Sequence, residues 1–229
     1  MGDFMAAAIN IEPKQFDLIV FDWDGTIMDS TGLIAECVQL AARDRGLPIP
    51  STAAAKSIIG LGLHDSTVQL FPELDDAARA AFAFAYRQHY LPRDHEAPLY
   101  DGIRELLVAL DHPMRFLAVA TGKPRVGLER AFAHTQLRSA FHFSRCADEG
   151  LPKPNLDMLR KLMDFAAVPP ERTLMIGDTI HDLALAHNAG VAAVAVTYGA
   201  HPAHLLATRP SLAAVDSVSE LTAWLRQNA

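Results

Sequence analysis

Apolar positions along the chain follow two rhythms. Short unbroken runs of apolar and β-favouring residues occur at "FDLIVF" (16–21), "RFLAVA" (115–120), "TLMIG" (173–177) and "VAAVAV" (191–196). Such runs have the character of strands buried on both faces. "AFHFSRC" (140–146) is a weaker version of the same pattern. Between the runs, apolar residues recur at helical spacing. "GIRELLVAL" sets Ile103, Leu106, Leu107 and Leu110 on one face, and "NLDMLRKLM" does the same with Leu156, Leu159 and Met163 behind Asn155 as N-cap. Strands alternating with helices predict parallel βαβ units, an α/β chain with a helix-covered sheet.

The alternation breaks once. Between Asp29 and Pro98 no strand pattern stands out, only helical periodicity. Ser30 or Thr31 caps a helix carrying Ile34, Cys37, Val38 and Ala41, which stops near Gly46 ahead of Pro48. "STAAAKSII", "DSTVQLF" and "DDAARAAFAFAYRQHY" supply further helical pieces. On the last, Phe82, Ala85, Tyr86 and His89 share a face, and the aromatic stripe Phe82, Phe84, Tyr86 is expected in the interior of this insert. The pattern divides the chain into a core, residues 1–29 and 99–229, and an all-helical insert, residues 30–98, with hinges near 29–31 and 96–101.

Composition narrows the function. Half of the 229 residues are hydrophobic and the net charge is −7 with no Lys/Arg cluster, so non-specific nucleic-acid binding is disfavoured. A small phosphorylated ligand stays compatible, because a few local cations outweigh a global sign. Cys37 and Cys146 are far apart and form no CxxC; a disulfide between them stays open, while sparse cysteine points to a reducing compartment. "MGDFMAAAIN" lacks the basic region and apolar core of a signal peptide, and no apolar run reaches membrane-spanning length. The expectation is a cytoplasmic protein without membrane or nucleic-acid partners, monomer or homodimer.

Polar clusters fall where the predicted strands end. Asp22 and Asp24 follow the first run, Thr121, Gly122 and Lys123 the next, and Asp178 and Asp182 lie just beyond "TLMI". Lys153 sits in "GLPKPN", a loop ahead of a helix. Open parallel sheets bind ligands beyond the carboxyl ends of their strands, so these clusters can converge although distant in sequence. Asp22 and Asp24, two apart, lie on the same side of an extended backbone. Carboxylates can serve as nucleophile and as acid and base, and Asp22 with Asp178 are hard oxygen ligands suited to Mg²⁺.

The set resembles the four motifs of the haloacid dehalogenase-like hydrolase superfamily: Asp22-Trp23-Asp24-Gly25-Thr26, Thr121-Gly122, Lys153, and Gly177-Asp178-Thr179 with Asp182. The opening "FDWDGT" and the "KP" at Lys153 are similar to the phosphoglycolate phosphatase-like branch. The resemblance spans the chain and implies a Rossmann-like core with a helical cap inserted after the first motif. It implies Asp22 as nucleophile, Asp24 as acid and base, and Lys153 as balancing charge. Mg²⁺ would be held by Asp22, the carbonyl of Asp24 and Asp178, with Asp182 holding a metal-bound water. Thr121 and Gly122 would bind phosphate. In capped relatives a loop like "IIGLGLHDS" reaches over the site, which makes Leu61, Gly62, Leu63 and His64 candidates for reading the leaving group.

Each residue has a plainer reading as well. Thr121 and Asp182 can be helix caps, Asp29 a cap or hinge residue, Lys123 a rim cation steering anions, and His181 a supporting or exposed residue. His181 and His187 lack the spacing of a helical zinc pair. The reaction expected is hydrolysis of a small phosphorylated metabolite through an aspartyl-phosphate. Sugar phosphomutase and pyrophosphatase chemistry are rivals within the superfamily, and a phosphate-sensing regulatory module is the non-enzymatic alternative.

Overall fold

The computed structural model describes residues 16–229. The stretch read as lacking a signal peptide, and residues 1–15 of the expected core, lie outside the described residues. In chain order the elements are β1 (Leu18–Phe21), α1 (Thr31–Asp44), α2 (Thr52–Lys56), α3 (Leu63–Leu70), α4 (Asp76–Tyr90), α5 (Ile103–Leu110), β2 (Phe116–Thr121), α6 (Arg125–Thr135), β3 (Phe143–Cys146), α7 (Asp157–Ala166), β4 (Thr173–Gly177), α8 (Ile180–Asn188), β5 (Ala192–Val196), α9 (Ala203–Leu206), β6 (Ala213–Val215) and α10 (Val218–Asn228).

The strands form one parallel sheet in the order β3-β2-β1-β4-β5-β6. The apolar runs are continuous because both faces of the sheet are covered. Ile19, Phe21, Leu117, Val119, Leu174, Ile176, Val194 and Val196 pack with α5, α6 and α10 through residues such as Leu106, Phe132 and Leu221. The alternate positions Leu18, Val20, Ala118, Ala120, Met175, Ala193 and Ala195 pack with α7 and α8 through Leu159, Leu162 and Leu183. Every predicted strand is present. The sixth, β6, escapes the sequence pattern because its three residues are too short a run to show a period.

The helices α1 to α4 occupy the interval that lacked strands and pack around their own cluster of Ile34, Cys37, Val38, Ala41, Phe71 and Phe82. Phe71 and Phe82 meet edge to face with ring centroids 5.2 Å apart. The chain leaves and re-enters the sheet at one place: the Asp29 N–H donates to the Pro98 carbonyl at 2.9 Å, and Met28 bridges to Leu99. Phe84 corrects the expected aromatic stripe. It is 62% exposed while Phe82 is buried, because residues two apart on a helix point in different directions. Cys37 and Cys146 are both free and buried in separate parts of the core, so no disulfide joins them. Among the described residues, no helix is long and apolar enough to cross a membrane.

Candidate functional site

The strand order places β1 beside β4, where the winding of the sheet reverses, and Phe21 is level with Ile176. Asp22 and Asp178 therefore emerge side by side beyond the carboxyl ends of two adjacent strands. Trp23, between the two aspartates, turns the other way into the core, where it meets Phe132 edge to face at 5.2 Å. That anchor holds Asp22 and Asp24 toward the site. Both are buried, at 1% and 7% exposure. Gly25 follows with φ +88°, and a side chain there would run into the Asp178 carboxylate. The glycine permits a turn this close to a buried acid.

Asp178 is fully buried and has a partner for each oxygen. The Thr26 hydroxyl donates to Oδ1 at 2.9 Å and the Ala200 N–H to Oδ2 at 2.7 Å. Lys153 reaches in from the loop between β3 and α7 with only 1% exposure. Its ammonium donates to Asp22 Oδ1 and to Asp182 Oδ1, each at 2.6 Å. Burial alone would push Lys153 down, but Asp182 and Asp22 outweigh it and hold the ammonium well above its ordinary range. Asp182 does two jobs. Its Oδ2 accepts from the Thr179 N–H and hydroxyl, closing a capping box on α8, while Oδ1 takes Lys153.

Around Asp24 the structure corrects two expectations. Ser30 precedes α1 yet caps nothing; its hydroxyl donates to Asp24 Oδ1 at 2.6 Å. Lys123 is no rim cation. It is 9% exposed, and its ammonium lies 2.9 Å from Asp24 Oδ1 and donates to the Tyr90 hydroxyl at 2.8 Å. Tyr90 is the last residue of α4, so an inserted helix completes this cluster.

Thr121 ends β2, and its Oγ1 accepts the Lys123 N–H at 3.1 Å rather than capping α6, whose N-cap is Pro124. A Cβ on Gly122 would lie 2.6 Å from the carbonyl oxygens of both Gly60 and Leu61. The glycine-rich loop thus rests directly on the second motif. Leu61 reaches it through backbone, while its side chain packs in the inserted helices. Gly62 is the N-cap of α3 beside Ala147 and Pro152. Leu63 opens α3 half-buried, and His64 is exposed on the same helix, where no hydrogen bond or ion pair among the described residues ties it to the cluster. His181 and His201 both meet the Ser57 carbonyl, at 3.2 and 3.1 Å. Because the Ile180 N–H donates to His201 Nδ1, the proton on that ring sits on Nε2 and points at Ser57. Asp29 accepts from the Tyr100 hydroxyl at 3.3 Å, beside the re-entry point.

The donor set fits a hard divalent cation. One carboxylate oxygen from each of Asp22, Asp178 and Asp182 lies within 4.8 Å of the others. Asp22 Oδ2 is buried with no hydrogen-bond partner among the described residues, an orphan acceptor that costs roughly 1–3 kcal/mol unless something binds it. Burial, followed by the charge of Asp182, lifts Asp178 to about 7. Burial also holds Asp22 well above the carboxylate range, opposed by Lys153 and reinforced by Asp182 and Asp178. Three acids against one lysine leave an excess of buried negative charge, and a cation ligated by carboxylates reverses that logic. Asp22 is the most available of the three, since both oxygens of Asp178 and both of Asp182 already accept hydrogen bonds.

Thr26, Ser30, Tyr90 and Lys123 are the site residues that motif reading missed or misplaced. Tyr90 and Ser30 carry no local signal, whereas Thr26 and Lys123 sat inside motifs and were legible as neighbours.

Comparison with known proteins agrees with this geometry. Residues 19–196 match the model of the family described as haloacid dehalogenase-like hydrolase. The chain is 32% identical to the probable phosphatase IndB of Dickeya dadantii, over 89% of this chain and 91% of the relative. It is 29% identical to a phosphoglycolate phosphatase of Vibrio vulnificus, over 91% and 95%. Among solved structures, a predicted phosphatase from Clostridium acetobutylicum superposes with TM-score 0.83 at 25% identity, covering 93% of this chain and all of that one. The protein belongs to the haloacid dehalogenase-like hydrolases.

Proposed function

We propose that this hydrolase is a Mg²⁺-dependent phosphatase that cleaves a small phosphorylated metabolite, phosphoglycolate-like in size, through a phospho-Asp22 intermediate. The observation that carries the reading is the buried cluster itself: Asp22 held by Lys153 at 2.6 Å, with its second oxygen left without a partner. The relatives named as phosphatases support the same class. In this reading residues 30–98 form the cap, and residues 1–29 with 99–229 the catalytic core.

Asp22 attacks phosphorus in line with the leaving oxygen. The P–O bond to the alcohol breaks as that oxygen takes a proton from Asp24. A water then attacks the phosphorus of phospho-Asp22 while Asp24 removes its proton, so inorganic phosphate leaves and both carboxylates return to their starting state. The Thr121 hydroxyl and Gly122 N–H bind phosphoryl oxygens, and Lys153 offsets charge on Asp22 and phosphate. Asp182, with both oxygens engaged, fixes Lys153 and the first turn of α8. When bound, Mg²⁺ on Asp22, Asp178 and the carbonyl of Asp24 would neutralise charge on the phosphoryl group. Cap closure excludes bulk water from the attack.

The test is release of phosphate from a generic aryl phosphate. Activity should require Mg²⁺, vanish with chelator, and fall by roughly 10³-fold or more in Asp22→Asn, whose amide is no nucleophile. Robust turnover by Asp22→Asn refutes the assignment.

A further inference from the structure

We infer that His201 is a positioning residue that couples the inserted helices to the cation site. It pins the insert through the Ser57 carbonyl and belongs to the loop that aims Asp178, so that closure of the insert and binding of Mg²⁺ strengthen each other. The inference rests on the Mg²⁺ part of the reading above and adds to it how that site is controlled.

Ser57 follows α2 in the insert, and its carbonyl meets two rings of the core, His181 Nε2 at 3.2 Å and His201 Nε2 at 3.1 Å. A carbonyl can only accept, so both rings donate. The rings stand edge to face with centroids 5.4 Å apart, and His201 is 2% exposed. Its Nδ1 accepts the Ile180 N–H at 3.1 Å, which holds the ring from the opposite side. A Cβ on Gly60 would lie 3.1 Å from Thr179 Oγ1 and 3.8 Å from His181 Cδ2, so the glycine-rich loop rests on the start of α8 as well.

The segment from Tyr198 to His201, between β5 and α9, also grips Asp178. The Ala200 N–H donates to Asp178 Oδ2 at 2.7 Å, and the His201 N–H donates to the Asp178 carbonyl at 3.3 Å. A side chain on Gly199 would run into the same carboxylate. The Tyr198 hydroxyl donates to the Thr26 carbonyl at 3.1 Å, and the Thr26 hydroxyl holds Asp178 Oδ1. The methyl of Ala200 meanwhile packs in the apolar cluster of the insert. Ala200 and His201 therefore each touch the acid through their N–H and the insert through their side chain. The segment cannot follow the insert outward without pulling on Asp178. By linkage, whatever affinity the cation gains from a closed insert, closure gains from the cation.

A plainer role for His201 is to hold its own loop in shape. Hydrogen exchange read by mass spectrometry over residues 57–62, combined with calorimetric titration by Mg²⁺, separates the two, because those residues supply no ligand to the acidic cluster. In wild type, Mg²⁺ should slow exchange over this stretch by about fivefold or more. His201→Ala should abolish that response and weaken Mg²⁺ binding by roughly tenfold. His201→Gln, whose amide can donate to Ser57 and accept from Ile180, should recover most of both. Wild-type exchange blind to Mg²⁺ overturns the inference, as does a His201→Ala protein that binds Mg²⁺ as tightly as wild type. So does weaker binding in His201→Ala with the exchange response retained, which confines His201 to its own loop. The wild-type arm needs no variant, so it decides alone if His201→Ala fails to fold. Calorimetry that detects no Mg²⁺ on wild type fails the cation reading itself and takes the coupling with it.

Discussion

At the scale of single residues, the site is a problem of buried like charges solved by donors. Asp22, Asp24, Asp178 and Asp182 are all nearly sealed from solvent, so each depends on a donor or cation within reach. Lys153 serves two of them, Lys123 and Ser30 serve Asp24, and Thr26 with the Ala200 N–H serves Asp178. Ser30 offers the cleanest probe. Removing its hydroxyl in Ser30→Ala takes away a 2.6 Å bond that orients Asp24, while the Ser30 side chain makes no cap whose loss would unfold α1. We expect kcat to fall about tenfold with KM little changed, the signature of a misaimed acid and base. A rise in KM at constant kcat would place Ser30 in substrate binding instead. The acids themselves were legible in the sequence, because Asp-x-Asp after an apolar run has a geometric consequence. Their partners were not: a serine ahead of a helix reads as a cap, and only the fold shows that its hydroxyl is used elsewhere.

At the scale of elements, the strand ends deliver the chemistry and the glycine-rich loop covers it. Gly60 and Gly122 meet backbone to backbone, with no room for a side chain on Gly122. Gly122→Ala should push the loop off the second motif and cost roughly 1–3 kcal/mol of stability as overpacking. The same change should raise KM for the preferred ester, since closure would then work against the clash; a thermal melt combined with steady-state kinetics reads both. Normal stability and KM would mean that the loop does not need this contact. Element by element, the sequence showed five strands and the helical insert because each carries a sustained period. β6 fell below that threshold at three residues. Of the stripe Phe82, Phe84, Tyr86, only Phe84 faces solvent, because a period of two belongs to strands, not helices, while Phe82 and Tyr86 share the inner face. The loop was legible as flexible, and its Gly60 and Leu61 lie at the contact while Gly62 sits beside Ala147 and Pro152, but the exposure of His64 on α3 depends on how the helix is turned, which spacing does not reveal.

At the scale of the whole molecule, an open parallel sheet gathers residues from positions 22 to 182 at one edge, and the inserted helices add Tyr90 and Ser57 from the other side. The gathered charge has a consequence for stability. A folded state with three clustered acids should be stabilised by the cation that fills the cluster, by about 2.7 kcal/mol when free Mg²⁺ is a hundredfold above its Kd. For a chain of this size, where each kcal/mol moves Tm by about 2–4 °C, that is a rise of roughly 5–11 °C. Mg²⁺ should raise Tm in wild type and leave Asp178→Asn nearly unmoved; an equal rise in both proteins would place the cation elsewhere.

In the proposed mechanism residue 22 carries the phosphoryl group between the two half-reactions. That role is tested most directly by quenching the enzyme with acid during turnover, reducing any acyl phosphate with borohydride, and locating the resulting alcohol by peptide mass spectrometry. Reduction is expected at residue 22, dependent on substrate and Mg²⁺. Label at residue 24 or 178, or none during sustained turnover, would contradict it.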